Sequence, residues 1–170
     1  MKINYKDPSL ILLVLANIIT ILLALWENWN ILTLMWIYWL QSVVIGFFNV
    51  LKLLTVEVRS GAGSKIAGIY PSIKIPEKLS LVQKILIAGF FCLHYGLFHF
   101  GYAEFLAGGF VLGQGKGLDV SGIVIVGFVF FLNHLFSYCY NFIIRKERET
   151  GPDGLMRLFW YPYARIIPIH

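Results

Sequence analysis

The sequence predicts an all-α fold, a polytopic transmembrane helix bundle with four spans and the start of a fifth. Three observations carry this expectation. Apolar stretches of roughly twenty residues recur along the chain, the length that crosses the hydrocarbon core of a bilayer. Of the 170 residues, 58% are hydrophobic and 14% charged, and the mean hydropathy is +0.74; a soluble domain carries about 25% charged residues. Lysines and arginines sit between the apolar stretches, so the net charge of +5 reads as an orientation signal and not as a nucleic-acid surface. The length fits one transmembrane domain covering 1–170.

Met1 to Asp7 is a short polar lead with Lys2 and Lys6. Asp7-Pro8-Ser9 reads as a helix start, because proline is tolerated in a first turn. The first span covers about 10–26 and holds almost nothing polar besides Asn17 and Thr20. Trp26-Glu27-Asn28-Trp29-Asn30 follows as an interfacial anchor, and no small-x-small cleavage site follows the apolar run, so the span is expected to be retained.

The second span, 31–54, carries Tyr38, Gln41, Ser42, Ile45, Asn49 and Lys52 at three- and four-residue steps. Those positions share one helix face, which is expected to turn toward other helices because lone amides are costly in hydrocarbon. Residues 55–80 form a cytoplasmic loop rich in Lys, Gly and Pro. Gly61-Ala62-Gly63-Ser64-Lys65 lacks the spacing of a phosphate-binding loop.

The third span, 81–106, contains His94-Tyr95-Gly96-Leu97-Phe98-His99, and the fourth, 120–144, contains His134. The glycine-rich turn between them is too irregular for a dinucleotide fingerprint. Gly46, Gly89, Gly96, Gly101 and Gly127 read as close-packing positions. Cys92 and Cys139 lie inside apolar segments and read as buried thiols, although their spacing leaves a disulfide open. From 145 to 170 runs an aromatic and basic tail, in which Arg165 to His170 resembles the start of another apolar segment.

Every Lys and Arg except Lys116 falls in the N-terminal lead, around the 55–80 loop or in the tail. Four spans with both termini cytoplasmic, in the cell membrane, satisfy that distribution.

Helix rise converts sequence offsets into depth. His94 lies roughly 15 Å from Lys84, His134 about 16 Å from Arg145 and Gln41 about 16 Å from Lys52. Three polar residues from three helices are therefore expected near the midplane, where ionisable groups usually mark function. His94 and His99 are rotated by about 140° on a regular helix and do not share a face. Either they meet different neighbours or the helix deviates, with Gly96 the expected place for a π-bulge. Cys92, Tyr95, Gly96 and His99 should line one face of this span. His134, Ser137 and Asn141 should line one stripe of the next, with Tyr138 beside it.

Trp36 to Lys52, Phe91 to His99, Asn133 to Asn141 and Tyr163 to His170 together resemble an uncharacterised family of archaeal and bacterial integral membrane proteins, a domain of unknown function. Members of that family often carry Glu where this chain has Gln41. The resemblance implies a fold region and a set of polar positions, and no activity.

Several functions fit these residues. A metal site, with zinc or another transition metal, would draw on His94, His99, His134 and His170. Gln41, Asn133 and Asn141 would support it, and Arg165, Ser137 and Tyr95 are candidates for catalysis in a metal-dependent hydrolase. Haem or quinone binding by histidines of neighbouring helices is the runner-up. A transport component, which at this size would work as a homo-oligomer among membrane lipids, is a third. The fourth is a structural membrane protein whose histidines hold helices together. A serine protease is disfavoured, since G-x-S-x-G is absent and Ser42, Ser121 and Ser137 lack that context.

Overall fold

The computed structural model describes residues 8–58, 79–112 and 118–166. In chain order these form α1 (Pro8–Trp26), α2 (Ile31–Thr55), the strand β1 (Glu57–Val58), α3 (Leu81–Leu112), α4 (Val120–Ser137), a π-helix (Tyr138–Ile144), the strand β2 (Glu149–Thr150) and α5 (Pro152–Ile166). The fold is all-α. Pro8–Trp26, Ile31–Thr55, Leu81–Gly108 and Val120–Ile144 are long and apolar enough to cross a membrane. They agree with the four spans expected from the sequence.

Side chains of the short connections set the helix ends. Asn28 takes a left-handed conformation (φ 50°), and the Trp29 N–H donates to the Ala24 carbonyl at 3.0 Å, closing α1 in a Schellman motif. Two residues on, Asn30 Oδ1 accepts the Thr33 N–H at 2.7 Å and caps α2. Ser80 and Gln83 form a reciprocal capping box at the start of α3 (2.9 and 3.2 Å). Asp119 Oδ1 accepts the Gly122 N–H at 2.9 Å and caps α4, while its own N–H donates to Thr33 Oγ1 at 3.2 Å.

The chain divides into two compact units. The first takes in 8–44 and the described part of 97–137. Here α1 buries Ser9, Ala16, Thr20 and Ala24 while Ile11, Leu15, Ile19, Leu22 and Leu25 are exposed. Small residues inside and large apolar ones outside invert the pattern of a helix in water, and suit a helix whose outer face meets hydrocarbon. The Thr20 hydroxyl donates to the Ala16 carbonyl at 2.8 Å and Asn17 Nδ2 to the Leu13 carbonyl at 2.8 Å, so both polar side chains are satisfied within the helix. Ala16 joins Ile37 of α2 and Val126 and Phe130 of α4 in a common core. Gly127 admits the Leu40 side chain into space that a Cβ would fill.

The second unit comprises the described parts of 45–96 and 138–166. Leu53, Ala88, Phe91, Tyr95 and Tyr163, from α2, α3 and α5, form one core cluster, and Val56, Val58 and Phe142 form another. Strands β1 and β2 pair in parallel, Glu57 with Glu149 and Val58 with Thr150. The Glu57 N–H donates to the Arg148 carbonyl at 2.7 Å, and the Arg148 and Glu57 side chains lie 3.4 Å apart. β1 follows α2 after Val56 alone, whereas a turn through Arg145–Arg148, with Lys146 left-handed (φ 57°), separates the π-helix from β2.

Several expectations are corrected. Helix α3 stays regular through Gly96, and the π-helical segment lies at Tyr138–Ile144 instead. Nothing lies within 4 Å of a Cβ at Gly96, so no neighbour forces a bulge there. Gly89 and Gly101 are equally open, leaving Gly46 and Gly127 as close-packing positions. Cys92 and Cys139 are free thiols, but exposed and not buried. Glu57–Val58, expected as loop, is a strand, and much of the expected tail is the helix α5. Residues 59–78 of the expected loop and 167–170 of the expected fifth span lie outside the described residues.

Candidate functional site

The two histidines of α3 reach different partners, as their rotation on a regular helix requires. In the second unit His94 Nδ1 and the Tyr163 hydroxyl of α5 are joined by a hydrogen bond of 3.0 Å. In the first unit His99 Nε2 and Ser42 Oγ of α2 are 2.9 Å apart, and the Trp39 indole N–H donates to the His99 carbonyl at 3.0 Å.

The His94 pair sits among aromatic rings. The imidazole stacks on Phe90 (5.7 Å between centroids, 14° between planes) and meets Tyr163 edge-on at 5.3 Å. Tyr163 also contacts Phe91 at 5.8 Å, Tyr95 at 5.6 Å and Phe159 at 5.9 Å. Burial holds its phenol pKa above the usual tyrosine value. His94 itself is exposed, contrary to the expectation of an inward-facing imidazole. The buried side of α3 is drawn by Ala88, Phe91, Tyr95 and Leu106, which follow the helical period. Cys92 is exposed and so does not share the inward face with Tyr95, while His99 is half-buried.

Tyr163 is the residue that reasoning from the sequence missed. Its signal was legible. Leu155, Phe159 and Tyr163 recur at four-residue steps and make one apolar face for α5.

On α2, Gln41 and Asn49 are buried and Ser42 and Lys52 half-buried, as expected, while Tyr38 at the outer end of the same stripe is exposed. Asn133 and Asn141 are buried; His134 and Ser137 are half-buried. Tyr95 packs on Gly46 and stacks on Phe91 at 4.9 Å. Arg165 lies in α5, but its side chain, like His170, falls outside the described set. Among the described residues no group of three or more His, Cys, Asp or Glu side chains lies close enough to hold a metal ion. His170, the fourth of the expected ligands, lies outside the described residues.

A further polar group occupies the C-terminal end of α2. Thr55 Oγ1 and the Tyr138 hydroxyl lie 3.2 Å apart, and Phe48 packs against the Tyr138 ring at 5.9 Å. The Lys52 ammonium lies over the Phe142 ring at 5.7 Å, with Glu147 the acidic group whose charge acts on it.

The chain belongs to a family of unknown function, DUF6498, whose profile matches residues 1–170. No curated protein and no solved structure matches it.

Proposed function

We propose that this family member is a multi-pass protein of the cell membrane, with both termini cytoplasmic, in which intramembrane histidines tie helices together. The observation that carries this reading is the pairing of His94 with Tyr163 and of His99 with Ser42. Each imidazole takes a hydroxyl from another helix as a partner, which is how polar side chains join helices where water is excluded. Lipid tails cover the exposed apolar face of α1. The lysine and arginine distribution supports the orientation.

Elemental analysis of the purified protein, beside His94→Phe and His99→Phe variants, tests the reading. Folded variants with modest stability losses and no stoichiometric metal in any of the proteins are expected. A bound metal in the parent that the variants lack would overturn it.

The Ser42–His99 distance of 2.9 Å favours a second reading, a hydrolase with Ser42 as nucleophile and His99 as general base. A fluorophosphonate probe should then form an adduct on Ser42 that is lost in Ser42→Ala and weakened in His99→Gln. Absence of that adduct in the parent protein removes this reading.

A further inference from the structure

Two stripes divide the side chains of α5. Leu155, Phe159 and Tyr163 pack into the core of the second unit, while Met156, Arg157, Trp160 and Tyr161 are exposed. A short amphipathic helix commonly lies in the plane of a membrane surface. The ring contacts give α5 a different course. Phe159 meets Phe90 at 5.9 Å and Phe91 at 6.0 Å. One turn on, Tyr163 meets His94 at 5.3 Å and Tyr95 at 5.6 Å. A four-residue step along α5 is thus matched by a four-residue step along α3, so the two helices run side by side in the same direction. The α3 segment Leu81–Gly108 is long and apolar enough to cross a membrane.

We propose, resting on the membrane assignment made above, that α5 follows α3 into the bilayer and that its outer stripe is a phospholipid-contact surface. Trp160 and Tyr161 then meet acyl chains, and Arg157 meets headgroup phosphate. By helix rise, Phe90 and His94 stand roughly 9 and 15 Å beyond Lys84, taken as the cytoplasmic edge. Phe159 and Tyr163 share those levels through their ring contacts. Arg157 lies half a turn nearer the edge than Phe159, where an extended side chain snorkels outward and its guanidinium pairs with phosphate. Phe90 and Leu93 are exposed on α3, and Phe90 is linked through Phe159 to Trp160 by ring contacts of 5.9 and 5.5 Å. The medium that covers the outside of α3 therefore also covers Trp160. Among the described side chains of α5, Arg157 is the one exposed charge. A second copy of the chain docked on this stripe would desolvate that charge, at a cost that only a well-placed carboxylate offsets. A lipid leaflet supplies the counter-charge at the level the side chain reaches.

Nitroxide labels on the full-length protein test this in vesicles of phosphatidylcholine and phosphatidylglycerol, with Cys92→Ser and Cys139→Ser removing the native thiols. Collisions with oxygen, which partitions into hydrocarbon, and with a water-soluble nickel chelate report what surrounds each label. Trp160→Cys should show an oxygen-to-nickel ratio several-fold above that of Glu147→Cys and close to that of Leu93→Cys on α3. Arg157→Cys should fall between, as a headgroup position does. Leu22→Cys on α1 reads the membrane assignment by itself. If labels at 22 and 93 report hydrocarbon while the label at 160 reports water, the lipid contact of α5 is overturned and the membrane assignment stands. If all of them report water, both fall. A label at 160 shielded from oxygen and nickel alike marks a protein partner and also overturns the lipid contact. A ratio at 157 as high as at 160 sets Arg157 too deep for the headgroups and overturns its phosphate contact. Tyr161→Cys reads the same stripe should Trp160→Cys fail to fold.

Discussion

Gly46 faces the edge of the Tyr95 ring so closely that a Cβ at position 46 would stand 2.5 Å from Tyr95 Cε1. Tyr95 is itself held by stacking on Phe91 and by contact with Tyr163, so it has no room to retreat. Gly46→Ala should therefore destabilise the protein by about 1–3 kcal/mol. Gly96→Ala, on the open side of α3, should be neutral or stabilising by up to about 1 kcal/mol. Thermal denaturation of the two variants in the same detergent compares them, and equal effects would contradict this account of the contact.

The His94–Tyr163 bond is best measured by a double-mutant cycle with His94→Phe and Tyr163→Phe. The expected coupling is about 0.6 kcal/mol and not above ~1.7 kcal/mol, the range for hydrogen bonds between helices in membranes. His94→Phe alone should cost more than the coupling, because it leaves a buried phenol hydroxyl to be desolvated. A coupling near zero would show that the rings hold α5 by packing alone.

Tyr163 also carries a pH dependence. Its folded pKa is raised above the unfolded value of about 10. The folded state thus holds the proton more tightly, and stability from the neutral phenol is present below about pH 10 and is lost as pH rises through the folded pKa. Tyrosinate absorbance of the parent and of Tyr163→Phe should differ by one transition that lies above the usual tyrosine range. The docking of α5 should loosen over the same alkaline range.

Asp119 caps α4 through Gly122. Asp119→Ala should cost about 1 kcal/mol, and Asp119→Asn much less, since asparagine caps nearly as well. Chemical unfolding of the variants checks the order. An equal loss in both would assign the effect to charge.

Arg148 and Glu57 are both substantially exposed, so their ion pair contributes little. Glu57→Gln should change stability by less than ~1 kcal/mol. Val58→Ala, which removes buried methyl groups beside Val56 and Phe142, should cost more.

Much of the fold was legible because hydrocarbon imposes a simple rule on sequence: apolar runs of spanning length, with polar residues on one stripe. The rule found α1 to α4 and turned Gln41 and Asn49 inward. It failed for His94, since it assumes that a polar group on a span seeks the interior of the spans themselves. His94 is instead met by Tyr163, on a helix too short and too amphipathic to register as a span. The π-helix was misplaced for a related reason. Glycine offers freedom to deviate, but deviation needs something to drive it. Gly96 has no neighbour, whereas Tyr138 and Phe142 stack within the π-helix at 5.6 Å and the Arg145 N–H reaches back five residues to the Tyr140 carbonyl. The strands were hidden because two residues are too few to show a period.

The parallel pairing of Glu57–Val58 with Glu149–Thr150 bears on how the chain is made. When β1 emerges from the ribosome its partner does not yet exist, and two more long apolar helices must be made before β2 appears. In the membrane reading proposed above, a third segment that alone failed to cross would deliver β2 to the opposite compartment, where β1 could never find it. On that reading the seam rejects a chain with a single mis-threaded segment, and acts as a parity check on its biogenesis.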